Sequence, residues 1–312
     1  MNTTRRDFLR WSGAMAVLAA GGPVLPAAEP GVSSPPAMFM GKLSVVRLED
    51  DLHAVLNGGG NSTAIHSADA VFIVDSGIPQ RGKDILAAVT ALSPAAIHKT
   101  LFNTHWHFDH VGGNGGFAAA GYAIVGSTQC RQRMGQTINF EDLGMQMPPS
   151  PEEQRPAVTF DEKLDVYTPS RVRLVKFAPA HTDTDAAAIV DAHGVLITGD
   201  LVFNGTFPVI DRSTGGSLDG MIAASAKLLT IADAKTRVIP GHGPLGGPEI
   251  IQAQLDLLKT VHDRLAPLGE KKTPLAEVLE KKPLADLDDK YGRGFLRSEL
   301  FTKMAYGQWL TR

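Results

Sequence analysis

Cysteine is nearly absent: Cys130 is the one thiol in 312 residues. An internal disulfide is excluded, so the fold must be held by its core and by any metal it binds. Blocks of like charge are missing too. Thirty Lys and Arg stand against 33 Asp and Glu, a formal charge of −3, which leaves no nucleic-acid footprint or acidic tail and points to small molecules as partners. The apolar run near the N-terminus, Ala14 to Ala20, is far short of the roughly 20 residues a bilayer span needs. What is present is a chain 43% apolar, enough for a substantial core, so disorder is not expected.

The first 28 residues have the layout of an export signal. Arg5 and Arg6 are followed by Phe8 and Leu9, then the short apolar run, then small residues ending near Ala27 or Ala28. The stretch TRRDFL resembles a twin-arginine signal. Residues 1–28 are therefore expected to be cleaved, leaving no stable membrane span, and the protein to be periplasmic or extracellular. Residues 29–40, rich in Pro and Ser, read as a flexible leader. Residues 41–312 read as a single domain whose last helices begin at about 266.

Short strand-like runs open that domain: LSVVRLED, LHAVLN, STAIHS and AVFIVDSG. Their close spacing implies an antiparallel meander. From Pro79 the pattern becomes helix, strand, helix, strand. The second half repeats this grammar, with a helix from Leu218 to Ile231 and another from Pro248 to Leu265. Two halves of similar order imply an α/β (α+β) chain with two sheets packed face to face and helices outside.

The segment FNTHWHFDHVGGNGG, Phe102 to Gly116, places His105, His107, Asp109 and His110 within six residues. At a strand end, positions i and i+2 project to one side, so His105 and His107 can grip one ion. As the loop turns, Asp109 and His110 can face a neighbouring ion. Imidazole and carboxylate suit zinc and other first-row divalent metals, iron and manganese among them. A lone histidine is more often an ordinary core or surface residue, but four ligand-type residues at this spacing are not explained that way.

His-x-His-x-Asp-His after a strand resembles the metallo-β-lactamase superfamily. The resemblance extends to His181 in FAPAHTDTD, Asp200 in VLITGD, His242 in RVIPGHGP and Asp75 in AVFIVDSG, over roughly Leu43 to Leu265. It implies a four-layer αββα sandwich. It also implies two zinc ions, one held by His105, His107 and His181, the other by Asp109, His110 and His242, with Asp200 bridging. In this scheme Asp75 supports the histidine loop, and Asp109 also orients a metal-bridging hydroxide and carries a proton to the leaving group.

The expected function is an exported dinuclear zinc hydrolase acting on a small-molecule amide or ester, β-lactamase-like action included. Lactonase, thioesterase and phosphodiesterase activities are alternatives. So is a mononuclear iron oxygenase acting on a sulfur substrate on the same fold. Phe203, Phe207, Pro208 and Asp211, just after Asp200, are candidates for the pocket mouth. NGGGN, Asn57 to Asn61, reads as a hairpin turn or a flap, and Trp106 as a shield. His53, His66, His98, His193 and His262 are expected to be structural.

Overall fold

A computed structural model describes residues 42–167 and 169–310. The signal and leader readings, on residues 1–28 and 29–40, lie outside the described residues. Strands β1 (Ser44–Glu49), β2 (Leu52–Leu56), β3 (Ser62–His66) and β4 (Ala70–Val74) pair as the antiparallel meander. Their β-branched and apolar residues favour a pleated surface, and turn residues punctuate them. The chain then crosses through α1 (Gly82–Leu92) to β5 (His98–Phe102), parallel to β4. Two short helices, α2 (Phe108–Val111) and α3 (Asn114–Ala119), lead to β6 (Ala123–Ser127), parallel to β5. Next come α4 (Thr128–Met134) and a hairpin of β7 (Ile138–Phe140) with β8 (Met145–Met147). Strand β9 (Val158–Phe160) completes a seven-stranded sheet in the order β1-β2-β3-β4-β5-β6-β9.

The second sheet contains β10 (Lys163–Val166), β11 (Val172–Lys176), β12 (Ala186–Val190), β13 (Val195–Phe203) and β14 (Arg237–His242), in that order. Its pairs are antiparallel except β13 with β14, which are parallel and joined through α5 (Leu218–Ile231). The chain ends in α6 (Pro248–Glu270), α7 (Leu275–Glu280), α8 (Asp288–Tyr291) and α9 (Ser298–Leu310).

Period-two alternation builds the layers. In the first sheet Leu52, Ala54, Ile65, Phe72 and Phe102 face the second sheet, where Leu174, Ala188, Val190 and Ile197 meet them. The intervening residues Val55, Ala64, Val71, Ile73 and Leu101 face outward onto Ile85 and Val89 of α1 and Phe117 of α3. On the far side Ala187, Ile189, Leu196 and Val238 pack under α5, α6 and α9. The result is the expected helix–sheet–sheet–helix sandwich, whose interior excludes water from both faces of each sheet.

Two differences from the sequence reading have physical causes. Helix α6 continues past Leu265 to Glu270 with Pro267 inside it. Proline there sacrifices one backbone hydrogen bond, but Leu265 is buried and Gly269 lies so close to Trp309 of α9 that a Cβ would strike its ring. Packing outweighs the local preference. Strands β7 to β10, of three or four residues each, were not anticipated. Runs that short carry no periodic signal and form only because neighbours supply their pairing.

Candidate metal centre

The seven residues singled out as ligands lie together at one end of the two sheets. Strand β5 stops at Phe102, and the loop after it carries His105 and His107. His107 occupies the extended position that caps α2, which puts Asp109 and His110 in the first turn of that helix. His181 sits in the loop from β11 to β12, where the Asp185 carboxylate accepts from the N–H groups of His181 (2.8 Å) and Thr182 (2.9 Å). Burial pushes the Asp185 carboxyl up to about 7 against those bonds. Asp200 projects from β13, where the pairing with β14 shifts register beside left-handed Gly199. Such an irregularity re-aims a side chain; a Cβ at Gly199 would strike Thr104. His242 is the last residue of β14.

These donors form two groups that share Asp200. His105, His107, His181 and Asp200 make the first; Asp109, His110, His242 and Asp200 make the second. In the first, His107 Nδ1 lies 2.9 Å from His181 Nε2, and Asp200 Oδ2 lies 3.5 Å from His181 Nε2 and 3.9 Å from His105 Nε2. In the second, His242 Nε2 is 3.1 Å from Asp109 Oδ2 and 3.3 Å from Asp200 Oδ2, and His110 Nε2 is 3.0 Å from Asp200 Oδ1. Donors about 2.0–2.2 Å from a tetrahedral ion stand about 3.3–3.6 Å apart, so both groups have the right span.

The tautomers are fixed from outside. His181 Nδ1 donates to the Val209 carbonyl (2.7 Å), His107 Nε2 to Asp211 (3.1 Å) and His110 Nδ1 to Asp75 (2.7 Å). Thr104 donates its hydroxyl to Asp75 (2.8 Å) and can accept from His105 Nδ1 at 3.1 Å. His105, His107 and His181 therefore turn their other ring nitrogen toward the centre of the first group, while His110 Nε2 faces Asp200 in the second. His105 Nε2 and Asp200 Oδ1 are buried without a hydrogen bond of acceptable geometry, although the latter is close to His110 Nε2. Lone pairs packed against one another away from water are unfavourable unless a cation sits among them. The donor set therefore fits divalent metal, and the buried, unpartnered His105 Nε2 is the direct sign of it.

A family model described as the metallo-β-lactamase superfamily matches residues 55–242. The chain belongs to the metallo-β-lactamase superfamily. It is 32% identical, over 130 residues, to a hydroxyacylglutathione hydrolase of Gloeobacter violaceus; the match covers 41% of this chain and 43% of that relative. The chain thus spans less than half the length of the curated relative it matches. Among solved structures, a metallo-β-lactamase from Pontibacter korlensis aligns with TM-score 0.58 at 17% identity, over 70% of this chain and 99% of that one. The DIM-1 metallo-β-lactamase exposed to ceftazidime aligns with TM-score 0.56 at 15% identity, over 70% and 98%. At such identities these two establish the fold alone.

In this superfamily member the neighbours of the two groups set their charge. Burial and then His110 hold His105 well below the usual imidazole range. Burial and then His107 hold His181 down at about 4. In the second group burial also pushes downward, but the carboxylates outweigh it: Asp200 and Asp109 hold His242 up at about 9. Asp109, despite its burial, is kept at about 2 by His110 and His242.

Three of the pocket candidates need correction. Phe207 is buried in the core, its ring stacked 4.7 Å from Phe301, because the C-terminal helices cover that segment; Pro208 is buried as well. Asp211 is also fully buried. Instead of lining a mouth, it accepts from His107 and from the Ser213 and Thr214 hydroxyls. Phe203 does reach the site, stacked 5.0 Å from the His242 ring. Trp106 packs edge-on against His107 at 4.7 Å and donates to Thr214. Asp75 accepts from Thr104 and His110. A cleft of about 270 Å³ opens beside the second group, lined by Leu56, Asn57, Gly59, Asn61, His242, Gly243 and Pro244. Among the described residues, none of the five other histidines joins either group.

Sequence reasoning did not assign the roles of Asp211, Asp185 or Asn61. Only the position of Asp185, in HTDTD beside His181, offered a local signal; Asp211 and Asn61 act across the fold.

Proposed function

We propose that the chain is an exported hydrolase that holds two zinc ions and cleaves a small-molecule amide or ester. The observation that carries this reading is a pair of complete ligand groups sharing one buried carboxylate, Asp200. Two divalent ions there would polarise a carbonyl or phosphoryl oxygen and acidify water.

The chain's own residues supply the rest. Asp109, ionised at neutral pH because His110 and His242 hold its carboxyl at about 2, has a side chain slightly more exposed than that of Asp200. Its carboxylate can accept a hydrogen bond from the attacking water and orient it, and we assign to it the passing of a proton to the leaving group. Phe203 and Trp106 exclude bulk water from the flanks, and the cleft beside His242 admits a compact substrate. Export is supported by Arg5, Arg6, Phe8, Leu9 and the run to Ala20. An exported enzyme would meet lactams, lactones and other small esters rather than cytosolic thioesters.

A second reading, thioester hydrolysis, is favoured by the hydroxyacylglutathione hydrolase relative and by the absence of cysteine from both ligand groups. The deciding experiment is elemental analysis of protein purified without added metal, with the same sample assayed on β-lactams, lactones, thioesters and phosphodiesters. Two zinc per chain with turnover of an amide or ester supports the first reading, and thioester turnover alone the second. One iron without hydrolysis would overturn both in favour of an oxygenase.

A further inference from the structure

The connection from β2 to β3, Asn57 to Asn61, is neither a solvent-exposed flap nor a simple turn. Gly58 through Asn61 are buried. The Gly60 N–H donates to the Asp109 carbonyl (3.0 Å), and the Asn61 N–H to the Gly241 carbonyl (2.7 Å). The Asn61 side-chain amide then donates twice, to the carbonyls of Pro240 (2.9 Å) and Gly243 (3.0 Å). Asn61 therefore grips the backbone on both sides of His242, across about 180 residues of sequence and from the other sheet. Gly60 meanwhile lies against His110 so closely that a Cβ would strike its ring. Each of these contacts falls on a residue of the second ligand group or beside one. None falls on His105, His107 or His181.

We propose that this connection is the brace that sets the second ligand group, with Asn61 as its positioning residue for His242. The inference rests on the two-ion reading above. Both acceptors of the Asn61 amide are carbonyls, so only a side chain with two N–H bonds satisfies them. Aspartate has the same shape but would set a carboxylate against two carbonyl oxygens. Without the amide, the Pro240 and Gly243 carbonyls lose their partner, and the short segment that aims His242 is free to shift.

The test is a calorimetric zinc titration of protein stripped by chelator. Wild type is expected to take up two ions. Asn61→Ala is expected to hold the first ion at wild-type affinity and to bind the second about 10–100-fold more weakly. Asn61→Asp should lose at least as much, while Asn61→Ser, which restores one donor, should recover part and stands in if the alanine variant fails to fold. Arg264→Ala removes bonds from α6 to Pro283 and Asp286 in the connection between α7 and α8. It is expected to keep both ions, which separates general weakening of the fold from loss of positioning. Retention of both ions at full affinity in Asn61→Ala, or equal weakening of both, overturns the inference while leaving the two-ion reading intact. A wild-type chain that takes up one ion overturns both.

Discussion

The first ligand group offers three imidazoles and one carboxylate, the second two imidazoles and two carboxylates, Asp200 being counted in each. That difference in donors becomes a difference in protonation. In the first group burial, with His110 beside His105 and His107 beside His181, keeps both rings neutral, ready for metal. In the second, Asp200 and Asp109 draw protons onto His242 and His110, and an incoming ion must displace them. The outer supports differ as well. Asp211 and the Val209 carbonyl orient His107 and His181 of the first group, the Asn57–Asn61 connection reaches the second, and Asp75 holds His110 of the second directly and His105 of the first only through Thr104. The centre is thus two ligand groups joined through Asp200 and, behind it, through Asp75.

Removing that joint should have the largest effect. Asp200→Ala is expected to weaken both ions and abolish turnover; a variant that retained two ions and full rate on zinc analysis would show that the groups are independent. Acid should separate the groups next. His242 is held up at about 9, so between pH 9 and pH 7 it carries a proton that the second ion must expel, and that ion's affinity should fall at least about tenfold per pH unit, the proton on His110 adding to the loss. His181, held down at about 4, imposes no such loss on the first ion over this range. Zinc titrations at pH 7 and pH 9 that shifted both affinities equally would contradict the contrast.

Smaller and more selective losses are expected from the outer supports. Asp211→Ala should weaken the first ion, and Asp75→Ala chiefly the second, since His105 feels Asp75 only through Thr104, each by about 10–100-fold. Zinc titration of the two variants reads the difference directly. The smallest expected effect is none. Cys130 packs with Trp106 and Val111 beneath the histidine loop, and burial pushes its thiol far up. Above its ordinary pKa, at pH 9, it should stay protonated and inert to a thiol reagent until the chain is denatured. Rapid labelling of the folded, metal-stripped protein would mean that the loop needs its ion to stay closed.

Much of the fold was legible because strand and helix periods are local. The meander from Ser44 to Val74 and the helix Leu218–Ile231 each follow from alternating or amphipathic runs bounded by turn residues. Four of the ligand-type residues were equally visible, since His105, His107, Asp109 and His110 crowd one loop. His181 in a loop, Asp200 within β13 and His242 at the end of β14 are isolated residues, and only the resemblance to a known family singled them out. Phe207 and Asp211 illustrate the limit. Both follow Asp200 closely in sequence, yet the C-terminal helices bury one in the core while the chain turns the other back to His107.

By itself the sequence determined which side chains are available for chemistry, the alternation that makes two sheets, and the lack of any disulfide to hold them. The tertiary structure decided how those side chains are used. Which nitrogen of each histidine faces inward, which imidazoles lose their protons and which loop holds His242 depend on contacts as distant as Asn61 to Gly243. Hydrogen bonds and electrostatic fields act through space, and the order of residues along the chain does not encode those distances until the sheets have packed.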